Sequence, residues 1–534
     1  MTTITRTILG AAELAGLLGQ RAPTGEQAAV IEAPLEPGLV VAGAGSGKTE
    51  TMAARVVWLI ANGLVRPEQV LGLTFTRKAA AELSTRIGLR LRQLAATRLV
   101  ADEVVLAGEP TVSTYHAYAG RIVAEHGVRL GVEPTSRLLT DAVRWQYAAR
   151  VVQVYDGDMS HVTVTPASIT AHLLDLADEL GEHFVEPAAL RRYTEQLIAG
   201  VRALPDSSRK SGVYKDVQNV LTRQLARLQL LPLVEQYIRS KRTTEAMDYG
   251  DQMGVAARLA QEVAEISRAE RSRYAAVLLD EYQDTSHSQL VLLRSLYGDG
   301  HPVTAVGDPC QSIYGWRGAS AGSLQRFPQH FPVADGTLLP EPAPVRVLST
   351  SWRNDGRILD LANAVAGELR AHGAVVPVLA PVPGRALDGT VRCALLETAQ
   401  DEAQWIASRL AEVWAENRAL AARDEPGLSA AVLTRRRSQQ RVLETALRSR
   451  GVPVEVLGLG GLLDTPEVLD VVSTLRVAVD PSAGDALLRL LSGARWRLGP
   501  RDLAALGRRA RALAEVPAAA VATTPPAHTG PGKG

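Results

Sequence analysis

The chain has 534 residues, too many for one compact core, so several domains are expected. Its 46% hydrophobic and 22% charged content is that of a globular protein, and a formal net charge of +1 means that any nucleic-acid surface must be a local track. Two cysteines far apart in sequence, Cys310 and Cys393, exclude a disulfide framework or a four-cysteine metal site; no apolar run reaches the ~18 residues of a membrane span and the N-terminus is a poor signal peptide, so the cytoplasm is the expected compartment.

In chain order, residues 39–49 read Leu-Val-Val-Ala-Gly-Ala-Gly-Ser-Gly-Lys-Thr. Residues 39–41 predict a short strand, 43–47 a tight loop, and Lys48 and Thr49 open a helix that runs to about Asn62. Such a strand–loop–helix aims consecutive backbone N–H groups and the positive end of the helix dipole at one point, which suits a polyphosphate. Lys48 would reach the β and γ phosphates and the Thr49 hydroxyl would hold Mg²⁺. Ala42 stands where the usual phosphate-loop pattern has its first glycine. The bland alternative is a glycine-rich β–α turn that binds nothing.

A second strand is expected at residues 70–76, a helix from Lys78 to about Leu94 and a third strand at 111–115. Residues 120–245 carry apolar positions at three- and four-residue spacing and predict helices, broken by a polar patch at 205–215. Strand signals return at 275–279 and 303–306, giving a parallel αβ core interrupted by a helical insertion. Residues 331–343 have the composition of a linker. A second αβ series is expected, with strands at 345–348, 391–396, 430–433 and 454–457, followed by Arg-rich helices to about Val516 and an Ala/Pro/Thr/Gly-rich tail. The expected division is 1–119 and 246–335 for the first αβ domain, 120–245 for its insertion, 344–462 for an incomplete second αβ domain, 463–516 for the start of a second insertion and 517–534 for a disordered tail.

The strand at 275–279 ends in Asp280 and Glu281. A carboxylate at the carboxyl end of such a strand, beside a phosphate loop, fits a Mg²⁺-associated role for Asp280; Glu281 can then polarise the attacking water. A solvated acidic loop would explain the pair alone; one binding site explains it together with residues 43–49. Residues 306–318 contain Gln311, a neutral donor able to sense a γ-phosphate, and the flat faces of Tyr314 and Trp316, which suit base stacking. Ordinary core is the competing fate for Trp316.

These elements, with Gln27, Thr74-Phe75-Thr76-Arg77-Lys78, Thr114-Tyr115-His116 and Ser351-Trp352-Arg353-Asn354, resemble the superfamily 1 DNA helicases of the UvrD/PcrA/Rep group. The text is also similar to the AdnB-type subunit of actinobacterial helicase–nucleases, which implies a possible helicase–nuclease partner subunit. The resemblance implies a P-loop NTPase of the α/β class with two RecA-like domains, ATP and Mg²⁺ as cofactors, and 3′→5′ movement on single-stranded DNA. It puts Gln27, Ala42, Gly43, Ala44, Gly45, Ser46, Gly47, Lys48, Thr49, Glu50, Trp352 and Arg353 around ATP. Lys48, Asp280, Glu281, Gln311 and Arg353 would serve catalysis, with Arg353 reaching the γ-phosphate across a cleft between the two αβ domains. Thr49 and Asp280 would serve the metal. Thr74, Phe75, Arg77, Lys78, His116, Tyr314 and Trp316 would face DNA, although a strand-core role is the alternative for Phe75. The cluster Arg435, Arg436, Arg437 and Arg441 fits a solvated helix start better than a DNA track.

The resemblance has a gap. The family's Lys-Gly-Leu-Glu-like motif and its later Thr-Arg motif are not found after residue 457, and Thr434-Arg435 belongs to an earlier element. The expectation is a chain that ends before the motor is complete, binding Mg-ATP but hydrolysing it poorly. There are two rivals: a non-motor ATP- or DNA-binding subunit of a repair complex, and a P-loop kinase. The kinase would need neither residues 307–311 nor the helical insertion.

Overall fold

The computed structural model describes residues 8–97, 108–204, 214–315, 322–334, 340–457, 465–480 and 482–514. The chain divides into two compact units, Met1–Val391 and Arg392–Gly534.

The first unit is built on a parallel sheet of β1 (Gly38–Ala42), β2 (Val70–Thr74), β3 (Thr111–Thr114), β4 (Ala276–Leu279), β5 (Val303–Gly307) and β6 (Val345–Leu348), in the order β3-β2-β4-β5-β1-β6. Its labelled helices are α1 (Gly25–Ile31), α2 (Lys48–Ala61), α3 (Arg77–Ala96), α4 (Tyr115–His126), α5 (Asp141–Val154), α6 (Pro166–Glu182), α7 (Pro187–Arg202), α8 (Lys215–Thr243), α9 (Tyr249–Glu262) and α10 (His287–Tyr297). The central strands are buried along their whole length, and mostly apolar, because both faces are covered. Alternate residues feed opposite cores: Leu39 and Val41 join the side chains of α4, α9 and α10, while Val40 and Ala42 join those of α1, α2 and α3. Arg55, 3% exposed, ties the side of α1 and α2 together by donating to the carbonyls of Val30, Ile31, Ala33 and Pro34 and to Thr304 Oγ1. Those bonds give the carbonyls at and beyond the end of α1 a buried donor.

The segment between β3 and β4 is helical, as its periodicity predicts. Helices α5, α6 and α8 share a small core around Leu173, Leu231, Val234 and Tyr237. Pro232 inside α8 removes one intrahelical donor. An ionic cluster joins this insertion to the N-cap of α9: Lys241 Nζ donates to Asp248 at 2.7 Å and to Asp251 at 2.6 Å, and Arg144 Nε lies 3.2 Å from Asp248.

The structure departs from expectation on the second αβ series. Residues 345–348 form a strand, but it pairs in parallel with β1 as the sixth strand of the first sheet, with Leu39 opposite Val345 and Ala42 opposite Leu348. The open edge of β1 offers a complete ladder there, and Leu348, 1% exposed, packs into the same core as Val40. The first compact unit runs to Val391. The segments 391–396, 430–433 and 454–457 carry no strand ladder. A short parallel pair, Thr350–Ser351 with Ala380–Pro381, is also part of the first unit.

In the second unit, α11 (Ala399–Ala421) and α12 (Gln440–Ser449) enclose a small core of Ala403, Ala407, Ala446 and Leu447. Helices α13 (Pro466–Val479), α14 (Gly484–Ser492) and α15 (Pro500–Ala514) come after them. The tail expected at 517–534 lies outside the described residues. No helix among the described residues is long and apolar enough to cross a membrane.

Candidate active site

Every strand of a parallel sheet delivers its following loop to the same carboxyl edge, and here the candidate residues meet there. The loop after β1 turns through Gly45 and Gly47, whose φ angles of +76° and +80° are left-handed. Space forbids a side chain as well: a Cβ at Gly45 would lie 2.7 Å from Ser351 Oγ and 2.8 Å from Arg353 Cβ, and one at Gly47 would lie 2.9 Å from Gln27 Nε2. Ala42, by contrast, is the last residue of β1 and fully buried, so its methyl fills core and leaves the loop unchanged. Ser46 closes the loop on itself, its hydroxyl donating to the Gly43 carbonyl at 2.8 Å.

Two further segments brace the loop. Gln27 and Thr24 form a reciprocal capping box at the start of α1, and Gln27 Nε2 also donates to the Ser46 carbonyl at 3.1 Å. Its carboxamide keeps one donor and one acceptor position for a ligand. After β6, Ser351 Oγ donates to the Ala44 carbonyl at 3.1 Å and the Trp352 N–H to the Gly45 carbonyl at 2.8 Å. The Arg21 guanidinium lies 4.7 Å from the centre of the Trp352 ring. Arg353 is exposed and starts directly above Gly45. Trp352 and Arg353 lie in the same compact unit as the loop, because β6 carries them there. Glu50, expected among the ATP contacts, has its carboxylate held by Arg86 at 2.7 Å and by Arg90. An acid suits the first turn of α2, and two arginines keep its charge from an incoming phosphate.

The loop after β4 brings the acids. Asp280 is 5% exposed, and burial, then the neighbouring Glu281 charge, push its carboxyl up to about 6 against the pull of Lys48. A buried carboxylate so disfavoured in its charged form gains from a cation beside it, and the oxygens of Asp280 and Thr49 match the preference of Mg²⁺. Glu281 adopts a left-handed φ of +51°, a conformation that costs a non-glycine residue roughly 1–3 kcal/mol. Its carboxylate receives a hydrogen bond from Lys48 Nζ at 3.3 Å and another from Gln283 Nε2 at 2.8 Å. Gln283 Oε1 in turn accepts the Asp308 N–H at 3.0 Å, and Gln311 Nε2 donates to Asp308 Oδ2 at 2.7 Å. Glu281 and Gln311 are thus joined through Gln283 and Asp308, in the loops that follow two adjacent strands.

Beside this cluster, Phe75 stacks on Tyr314 with ring centres 5.0 Å apart and planes 22° from parallel. Phe75 is half-buried, whereas Arg77 and Lys78 at the start of α3 are exposed. His116, in the first turn of α4, meets Tyr249 edge-on at 5.7 Å. Thr74 departs from expectation: it is fully buried at the end of β2, facing into the protein, so it presents nothing at the surface. Trp316 lies outside the described residues.

Four residues of the cluster carry no individual signal in the sequence: Ser351, Gln283, Asp308 and Arg21. The first three lie inside motif segments, but their hydrogen bonds join stretches remote in sequence and have no local signature. Arg21 has no signal beyond its charge.

Residues 24–332 match the UvrD/REP helicase N-terminal domain and residues 347–516 the UvrD-like helicase C-terminal domain. The chain belongs to the UvrD-like helicase family. It is 29% identical over 497 residues to the ATP-dependent DNA helicase UvrD1 of Mycobacterium tuberculosis strain H37Rv, covering 90% of this chain and 55% of that protein. It is 27% identical over 478 residues to DNA helicase II of Escherichia coli K12, covering 90% and 57%, and 25% identical over 488 residues to the ATP-dependent DNA helicase PcrA of Leuconostoc citreum, covering 91% and 57%. The chain spans a little over half the length of these curated relatives.

Proposed function

We propose that the chain binds ATP with Mg²⁺ on the loop at residues 43–49 and couples its hydrolysis to 3′→5′ movement along single-stranded DNA, as a helicase of DNA repair or recombination. The observation that carries this reading is one sheet edge that joins a glycine phosphate loop, the Asp280–Glu281 pair and the Phe75–Tyr314 stack. Nucleotide chemistry and a base-stacking face are then linked by Gln311 and Tyr314, three residues apart. The relatives, each named as a DNA helicase, support the same conclusion.

In this reading the backbone N–H groups of the loop and Lys48 hold the phosphates. Thr49 and Asp280 hold Mg²⁺, which when bound neutralises phosphate charge. Lys48 now shares its charge with Glu281; a phosphate competes for that ammonium and leaves Glu281 free to accept a proton from the attacking water. Gln283 keeps the Glu281 carboxylate aimed, and Gln311 senses the phosphate end. Arg353, always charged and forked, stabilises charge on the transferring phosphoryl group. Trp352 and Gln27 take the adenine. Phe75 and Tyr314 stack bases, while Arg77, Lys78 and His116 face the DNA backbone.

The test is ATP turnover with and without single-stranded DNA. Glu281→Gln is expected to keep Mg-ATP affinity within about threefold while DNA-stimulated turnover falls about 100-fold. Phe75→Ala is expected to weaken single-strand binding about tenfold. An unsubstituted chain that binds ATP but shows no DNA-stimulated turnover would instead mark a binding subunit.

A further inference from the structure

The last turn of α6, in the helical insertion, is docked on the first turn of α10. Glu182 Oε1 accepts the backbone N–H of Ser288 at 2.7 Å, and Glu182 Oε2 accepts the Ser288 hydroxyl at 2.8 Å. Ser288 is 2% exposed and Glu182 is half-buried, so the serine end of both bonds is withdrawn from water. Its N–H belongs to the first turn of α10, where no carbonyl of the same helix can reach it, and the positive end of the helix favours a carboxylate there. The next two residues add to the joint. His183 lies against His287 with ring centres 5.4 Å apart and planes tilted by 32°, and Phe184 meets the same ring edge-on at 6.0 Å. Phe184 holds a left-handed φ of +54°, which aims three consecutive side chains of the insertion at one helix end.

The joint lies a few residues beyond the carboxylate pair. Glu281 leads into the turn Tyr282–Asp284, and Ser286 then caps α10, its hydroxyl 3.2 Å from that of Ser288. Within that turn Gln283 holds the Glu281 carboxylate. Hydrogen bonds therefore join Glu182, Ser288 and Ser286, and from Ser286 the chain itself leads back to Glu281 through a short turn in which the Asp284 N–H donates to the Glu281 carbonyl and the Thr285 N–H to the Tyr282 carbonyl. The insertion itself begins beyond α4, whose first turn carries His116 on the edge assigned to DNA.

We propose that Glu182 is a positioning residue: it ties the helical insertion to the Glu281 turn, so that a DNA strand acting on the insertion is felt at the ATP-hydrolysing carboxylate. The proposal rests on the reading of the site as a DNA-stimulated ATPase. A two-point, charge-assisted clamp on a buried serine supplies the stiffness such coupling needs.

The experiment uses the full chain with Glu182→Ala and Glu182→Gln. For Glu182→Ala, Mg-ATP affinity is expected to stay within about twofold while the ratio of DNA-stimulated to basal turnover falls about tenfold, as loss of a charge-assisted hydrogen bond allows. Glu182→Gln, which keeps an acceptor for the Ser288 N–H, is expected to restore at least half of that ratio. A folded Glu182→Ala chain with the unsubstituted ratio would overturn the proposal, because a merely structural cap lowers the melting temperature and leaves the ratio alone. If the unsubstituted chain shows no DNA stimulation, the functional reading fails first. Hydrogen exchange over residues 280–289 then decides the clamp: about tenfold faster exchange in Glu182→Ala supports it, and unchanged exchange overturns it.

Discussion

Residues 303–306, Val-Thr-Ala-Val, and residues 430–433, Ala-Ala-Val-Leu, are near-equivalent apolar tetrapeptides between helices. The first is a central strand of the parallel sheet, with Val303 and Ala305 fully buried; the second carries no ladder and leaves Leu433 94% exposed. Leu395 and Leu457, in the neighbouring apolar segments of the second unit, are 100% and 77% exposed. The difference teaches that an apolar run becomes a strand through its neighbours. β5 has β4 and β1 on either side, and helices cover both faces of the sheet. The segments of the second unit have no such partners among the described residues. Position at a sheet edge also decides where chemistry collects, since only aligned strands can bring loops from residues 43, 280, 311 and 351 to one place.

The comparison can be broken by substitution. Leu71→Ala, in fully buried β2, is expected to destabilise the first unit by about 2–5 kcal/mol, read by chemical denaturation. A cost below about 1 kcal/mol would mean that the sheet is not the tight core described. The next effect depends on pH. His301 lies at the other end of the sheet, its Nε2 2.8 Å from the Tyr274 carbonyl, and burial lowers its pKa to about 4, assisted by Arg271 and opposed by that hydrogen bond. The unfolded chain takes up a proton near the ordinary histidine value of about 6.5, so it binds more protons than the folded chain between about 4 and 6.5. Stability should therefore fall as pH drops through that window, by on the order of 1–2 kcal/mol for a partly exposed ring, and His301→Gln should flatten the slope. An unaltered slope in His301→Gln would remove His301 from the account. The smallest effect belongs to the second unit: Leu433→Gln should change stability by less than about 0.5 kcal/mol. A loss of several kcal/mol would reveal a buried environment for residues 430–433.

Much of the site is legible in the sequence because its chemistry is local. A phosphate loop needs glycines, Lys48 and Thr49 within a few residues, and paired acids after an apolar strand announce themselves. The first sheet is legible for the same reason, each strand being a short apolar run between helical periods. Strand membership is not. Residues 345–348 carry a strand signal that suits either sheet, and only the unfilled edge of β1 decides between them. That assignment brings Ser351, Trp352 and Arg353 onto the loop of their own unit. Thr74 escapes the sequence because the alternation of a strand fully covered on both faces gives no sign of where the surface begins.

The central claim is that the carboxyl edge of the first sheet is a nucleotide site driving DNA-dependent work. Mg-ATP turnover by the full chain and by Lys48→Ala, measured with saturating single-stranded DNA, tests it most directly. The lysine substitution is expected to lower DNA-stimulated turnover by about 100-fold or more. Undiminished turnover in Lys48→Ala would contradict it.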